Sequence, residues 1–344
     1  MKWVMNMPGA LPPLLVLVGV LVIAPGCATP GPLIVNGANL RWPKAPAPAR
    51  IRYVGQILGG TSRSAVAEVI AGRAEARVDL VRPYAVTTTS GGVVVVTDPG
   101  RGHMNLFDLR RRTHRVISAY RKTALVSPVG VASDAKGLIY VADSVLHDVF
   151  VFDAAGKAIR SFGGKFRRPT GMTIDRARGV VYVADTLAHE VRALTTEGKA
   201  LFTIGKRGSG PGEFNYPTHL AFNQKAGTLL VCDTLNFRIQ RFDRKGTPLG
   251  MFGKLGDSSG ALAKPKGIAV DSAGHIYVTD AIFDVIQVFD AEGHLLLYFG
   301  KPGKGKARLA MPTGLAIDER DYLYVANTLN RRVEVFQYLG KVIP

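Results

Sequence analysis

Cysteine is nearly absent from this 344-residue chain, which has only Cys27 and Cys232. Two distant thiols cannot staple a disulfide scaffold, and they lack the close pairing of a zinc site. Acidic residues are also scarce, 26 against 44 Lys and Arg, for a formal net charge of +18 and a pI near 10.1. Such a surface prefers anionic partners: nucleic acid, acidic polysaccharide, lipid headgroups or acidic protein. Long apolar runs are lacking too. The run near the N-terminus, from about Leu14 to Ile23, falls short of the ~20 residues that cross a bilayer. Disorder is excluded by a hydrophobic share of 47% with 20% charged residues. What the chain has in quantity is glycine, 39 residues, which suits the turns between many short strands.

The N-terminal run follows Lys2 and has the length of a signal-peptide core. It ends in Ile23-Ala24-Pro25-Gly26-Cys27, where a small residue before cysteine resembles a bacterial lipobox. That resemblance implies a lipoprotein-type signal peptide over residues 1–26 and lipid attachment at Cys27. The expected location is the bacterial cell envelope, lipid-anchored on the periplasmic face or at the outer membrane. Residues 27–49 carry Pro30, Pro32, Pro43, Pro46 and Pro48 without a strand or helix period, and read as a tether. Fully extended, at ~3.1 Å per residue, it would reach roughly 70 Å. Cys232, inside the apolar run Leu229-Leu230-Val231-Cys232, reads as a small buried hydrophobe.

Beyond the tether, residues 50–344 hold six copies of one pattern. Each opens on a proline: Pro83, Pro128, Pro169, Pro217, Pro265 and Pro312. Each passes through a turn to a second strand ending at Asp98, Asp143, Asp185, Asp233, Asp280 or Asn327, and successive markers lie 41–48 residues apart. In the fifth copy, 265–271, 275–280, 286–290 and 295–300 are four short β-branched and aromatic runs separated by Gly- and Asp-bearing turns. Four strands per unit describe a propeller blade. The sequence therefore predicts an all-β fold, a six-bladed β-propeller of four-stranded antiparallel blades.

The unit Pro-x-Gly-apolar-Ala-apolar-Asp, Tyr-Val-Ala-Asp, Asn-x-Arg-apolar-Gln-x-Phe-Asp, Phe-Gly resembles the NHL repeat from Pro83 to Gly340. The Asn-x-Arg element is kept at Asn236/Arg238 and Asn330/Arg332. The leader and tether make the chain similar to bacterial NHL lipoproteins. The resemblance implies a toroid but leaves its activity open, because propellers host many functions.

The sixth copy supplies three strands, and the segment 50–57 upstream of the first copy is an orphan strand. It is expected to pair as the outer strand of the last blade and close the ring, since an unpaired edge invites aggregation. Residues 64–78 show helical spacing of apolar side chains and predict a short amphipathic helix. The strand-ending acids are expected to accept backbone N–H bonds from the following turn.

In this topology the loops between blades and the turns between second and third strands share a face. The inter-blade loops carry Arg121, Lys122, Lys165, Arg167, Arg168, Lys206, Arg207, Lys301, Lys304, Lys306 and Arg308, together with Lys254 and Lys264, against only Glu213 and Asp257. The expected function is an envelope-anchored binding scaffold that engages a protein, peptide or anionic glycan through a basic pore face. Nucleic acid fits the charge but not export, and the loops have few stacking aromatics. The alternative is a metal-dependent propeller lyase or hydrolase near the pore. Its candidate is His219, which replaces the small residue of Pro-x-Gly at the pore mouth, with zinc or calcium as the cofactor to test. No nucleophile–base pair or acidic pair is evident. His147 and His189 hold equivalent positions in adjacent copies and read as exposed turn residues, and His275 and His294 as solvated ones.

Overall fold

The computed structural model describes residues 34–36, 38–62, 76–163 and 166–340. The leader, Cys27 and Lys165 lie outside the described residues, as does most of the predicted helix. The six copies form six blades around an axis. In blade 2 the innermost strand Pro128–Ser133 pairs with Ile139–Asp143, then Asp148–Phe152, then the outermost Ala158–Gly163, all antiparallel. Blades 3, 4 and 5 repeat this order from Pro169–Asp175 to Ala200–Ile204, Pro217–Asn223 to Pro248–Phe252, and Pro265–Val270 to Leu295–Phe299. Blade 1 builds the same four strands from Val86–Thr88 to Thr113–Ile117. Among the described residues the only helical element is one 3-10 turn, Thr234–Asn236.

The ring closes as the sequence predicts. Blade 6 takes Pro312–Ile317, Tyr322–Asn327 and Arg332–Tyr338 from the end of the chain, and its fourth strand is Ile51–Ile57.

Strand composition follows from packing. The second strands, such as Ile139–Asp143, are buried throughout because neighbouring blades cover both faces, so they read as continuous apolar runs. The outermost strand Ala158–Gly163 alternates half-buried and exposed residues because only one face is covered. The core is correspondingly divided among the seams between blades. One apolar cluster lies between blades 2 and 3 around Tyr140 and Val183; another joins blades 5 and 6 around Tyr277 and Phe336.

Two segments depart from the sequence reading. Residues 76–79, at the end of the predicted helix, form a strand that pairs with Gly59–Ser62. The hairpin sits beside the outermost strand of blade 1 through a parallel bridge from Ser62 to His114. Helical spacing reports local preference only, and here an open sheet edge supplies backbone partners that a helix would not use. The second departure is in the stretch read as tether. Val35–Asn36 and Arg41–Trp42 both pair with the closing strand. Trp42 packs against Phe299 and Phe336 with ring centroids 5.8 and 5.9 Å away. Proline spacing suggested a free linker there, but Leu40 and Trp42 have an apolar seam to cover.

Candidate functional site

Each blade is a simple meander, so its loops alternate between two faces. On one face lie the loops that lead into each blade and the turns from second to third strand. Backbone hydrogen bonds of 2.9–3.1 Å join these two sets in blades 2 to 6, for example Ser144 N–H to Ser127 C=O and Leu329 N–H to Ala310 C=O. The strand-ending acids form the underside of the junction. Asp143 accepts from the N–H groups of Val126 and Ser127 in the incoming loop and of Val145 and Leu146 in the turn. Asp280 does the same for Ala263, Lys264, Ile282 and Phe283. These carboxylates are buried and serve the backbone of two segments, one more than the sequence suggested.

The Asn-x-Arg elements clamp the two glycine-rich loops. Arg238 bonds Asp233 through Nε at 2.9 Å and spends its Nη groups on the carbonyls of Ser209, Gly210 and Glu213. Asn330 donates to Gly303 C=O, while Arg332 donates to Lys304 and Gly305 C=O and pairs with Glu334. The loop carrying Lys301, Lys304, Lys306 and Arg308 is thus held at its backbone while the four side chains stay exposed. Lys122, Arg167, Arg168 and Arg207 are also exposed on this face, and Lys165 lies outside the described residues. Arg121 lies over Tyr120, Lys206 pairs with Glu213 at 3.4 Å, and Arg308 reaches Pro302 C=O. Among the described residues, and apart from the buried clamps Arg238 and Arg332, none of the other named cations of this face has an acidic partner within ion-pair distance. In the turns opposite, cations such as Lys136 and Lys245 alternate with Asp134, Asp153, Asp243 and Asp318.

The innermost strands enclose a small space at the axis. All six innermost strands contribute to its lining, leaving a cavity of about 30 Å³, room for about one water. His219 projects from blade 4 into this space, buried, with neither ring nitrogen hydrogen-bonded, and its ring stacks on Tyr84 at 5.6 Å. It is thus inside the channel rather than at the mouth where the sequence placed it. Its neighbours there are Val131, Met172, Leu220, Ile268 and Leu315. Among the described residues no three His, Cys, Asp or Glu side chains converge on one point, here or elsewhere.

Burial, reinforced by the charge of Lys266, pushes the His219 pKa down to about 3 from its ordinary 6.5. The native ring therefore stays neutral where the unfolded chain takes up a proton, so stability falls as the pH drops from about 6.5 towards 3. His219→Gly, the residue found at this position in four other blades, should flatten that acid loss in melting temperature. Some slope will remain, because burial also lowers the pKa values of His103 and His114. Equal slopes for variant and wild type from pH 7 to 4 would clear His219 of the effect.

Two turn histidines also differ from expectation. His147 is exposed, but His189 is buried, with Nδ1 3.3 Å from the Tyr216 N–H. Both sit at φ +57°, the left-handed corner of their turns. His275 is half-buried, bonded to Asp271 at 2.8 Å. It lines a second cavity of about 420 Å³ with Tyr277, Leu297, Tyr338 and, from the supposed tether, Pro43, Pro48 and Arg50. No sequence signal marks this cavity, because its wall comes from residues far apart in the chain. Cys232 is a fully buried free thiol whose pKa burial pushes up.

A family model described as a 6-bladed beta-propeller matches residues 170–251. No curated protein matches the chain. Among solved structures, virginiamycin B lyase from Staphylococcus aureus is similar at a TM-score of 0.57 and 14% identity, over 75% of this chain and 96% of that one. An auxiliary nutrient binding protein from Bacteroides thetaiotaomicron aligns at 0.59 and 15%, over 78% and 71%. Hydrazine synthase from Kuenenia stuttgartiensis aligns at 0.55 and 12%, over 78% and 99%. At such identities the likeness is one of fold, and these proteins act in unrelated ways.

Proposed function

We propose that this propeller is a binding protein of the cell envelope whose cationic face holds an anionic partner. One observation carries the reading: loops fixed at their backbone present exposed, unpaired cations on one face, while the opposite turns balance their charges. Such a field raises the local concentration of an anionic ligand and speeds its capture. The leader and its resemblance to a lipobox support the envelope location and attachment through Cys27.

The reading is tested with two soluble polyanions, polyglutamate and polygalacturonate, at low salt. Reversing Lys301, Lys304 and Lys306 to Glu should weaken binding to at least one of them by tenfold or more, in order of magnitude. The control reverses Lys136, Lys199 and Lys245, exposed in the opposite turns, which changes the net charge equally. If both triple variants lose the same affinity, net charge alone attracts the polymer and the face has no special role.

A further inference from the structure

We infer that the anionic partner of the cationic face is the surface of a lipid bilayer, which the propeller meets with five aliphatic tips as well as with charge. This rests on that face being the binding face and says what it binds.

Two residues beyond each strand-ending Asp or Asn, blades 2 to 6 carry Val145, Leu187, Leu235, Ile282 and Leu329, exposed by 53, 38, 43, 59 and 62%. Single exposed aliphatics are ordinary on any protein. Five at one repeat position are not explained that way, and their turns share one backbone corner. The corner residue two places later has φ between +55 and +57° in every one: His147, His189, Phe237, Asp284 and Arg331. Turns at the same place in successive blades of a closed ring put the tips around the axis on one face. Blade 1 has Gly100 in that place and leaves a gap.

The distribution is one-sided. Val126 and Leu255, exposed by 48 and 64%, stand on the adjoining loops of the same face. The other large exposed apolar residues, such as Leu201 and Leu296, lie on outermost strands, and none lies in the opposite turns among the described residues. Aliphatic tips and unpaired cations therefore share one face.

That combination selects among anionic partners. A glycan has nothing for an isobutyl group to enter. A soluble protein normally offers a contiguous apolar centre ringed by polar groups. Here the tips are spaced around the ring with cations among them. A bilayer accepts spaced tips at one level, each entering the same acyl boundary while Lys and Arg stay with the headgroups.

The experiment uses the full chain with Cys27→Ser in every variant, so that no lipid attached there does the anchoring. Sedimentation is measured with vesicles of phosphatidylcholine alone or mixed equally with phosphatidylglycerol. The mixed vesicles should carry the protein down, and replacing Leu187, Leu235 and Leu329 by Ser should weaken this at least roughly tenfold. The same variant should keep its binding to polyglutamate and lose at most a few degrees of melting temperature, on the order expected for partly exposed side chains that belong to none of the core clusters. Undiminished sedimentation of the Ser variant would overturn the inference while leaving the charged face intact. Binding to polyglutamate but not to mixed vesicles would overturn it in favour of a soluble acidic partner. Failure to bind either would remove the cationic-face reading together with this one.

Discussion

Deleting residues 50–57 should lower the melting temperature by more than roughly 10 °C and replace one cooperative transition with a broad, aggregating one. The strand looks dispensable in sequence, a detached run ahead of the first repeat. In the fold it reaches two seams. Ile51 and Tyr53 are buried between blades 5 and 6, and Ile57 between blades 6 and 1. Burying a large apolar side chain stabilises by about 1.5–3 kcal/mol, so three of them alone approach the 5–15 kcal/mol margin of a typical domain. Tyr53 also donates its hydroxyl to Glu334 at 2.7 Å. Burial pushes the Glu334 pKa up, and the bonds from Tyr53, Arg332 and Asn327 oppose that shift. Without the strand this carboxylate loses one of its donors and the edge of Arg332–Tyr338 stands bare. Calorimetry of the truncated chain decides the matter: an unchanged melting temperature would mean that the ring closes without its fourth strand in blade 6. The subtler Tyr53→Phe change should cost about 1–3 kcal/mol, because it leaves the buried acceptor unsatisfied.

The second large effect is expected at the axis. Gly130→Ala should destabilise by about 3 kcal/mol or more, visible as a lower urea midpoint. A Cβ at Gly130 would lie 1.8 Å from the Thr170 carbonyl oxygen, and one at Gly171 would lie 2.3 Å from that of Thr218. The obstacle is the backbone of the next innermost strand, which cannot rotate aside. Relief requires moving neighbouring innermost strands apart. There Thr170 Oγ1 donates to Thr218 C=O at 3.1 Å and Thr186 Oγ1 to Pro217 C=O at 2.6 Å. Gly274→Ala is the informative comparison. It has open space around it but sits at φ +92°, so its cost is backbone strain of about 1–2 kcal/mol. If Gly130→Ala proves no worse than Gly274→Ala, the innermost strands are not in contact at the axis. Blade 4 shows the alternative solution: where the other blades keep Gly or Ala it has His219, whose ring goes into the axial cavity.

Much of this was readable one residue type at a time. The six prolines mark the innermost strands, because each opens a strand in the observed sheets or, for Pro83, lies just before one. The strand-ending acids announced buried acceptors, and Asp143 and Asp280 are that. The missing fourth strand of blade 6 could be inferred by counting. Other features had no local signature. Asn236 and Arg238 were visible as a motif, but that they hold the loop 208–214 emerges only when its carbonyls face them. Trp42 looked like a residue of a linker because nothing in its neighbourhood names Phe299 or Phe336 as partners. The five exposed aliphatics were scattered letters until the ring put them on one face.

By itself, then, the sequence determined the number of blades, the strands within each and the segment that joins the two ends. These follow from period and alternation, which are properties of neighbouring residues along the chain. Only the tertiary structure decided that residues 76–79 extend blade 1 as a strand, that Leu40 and Trp42 cover a seam, and that His219 is buried against the axial cavity. Each of these is an outcome of which surfaces meet across distances of tens to hundreds of residues. Burial and an open sheet edge then outweigh the local preferences from which a sequence is read.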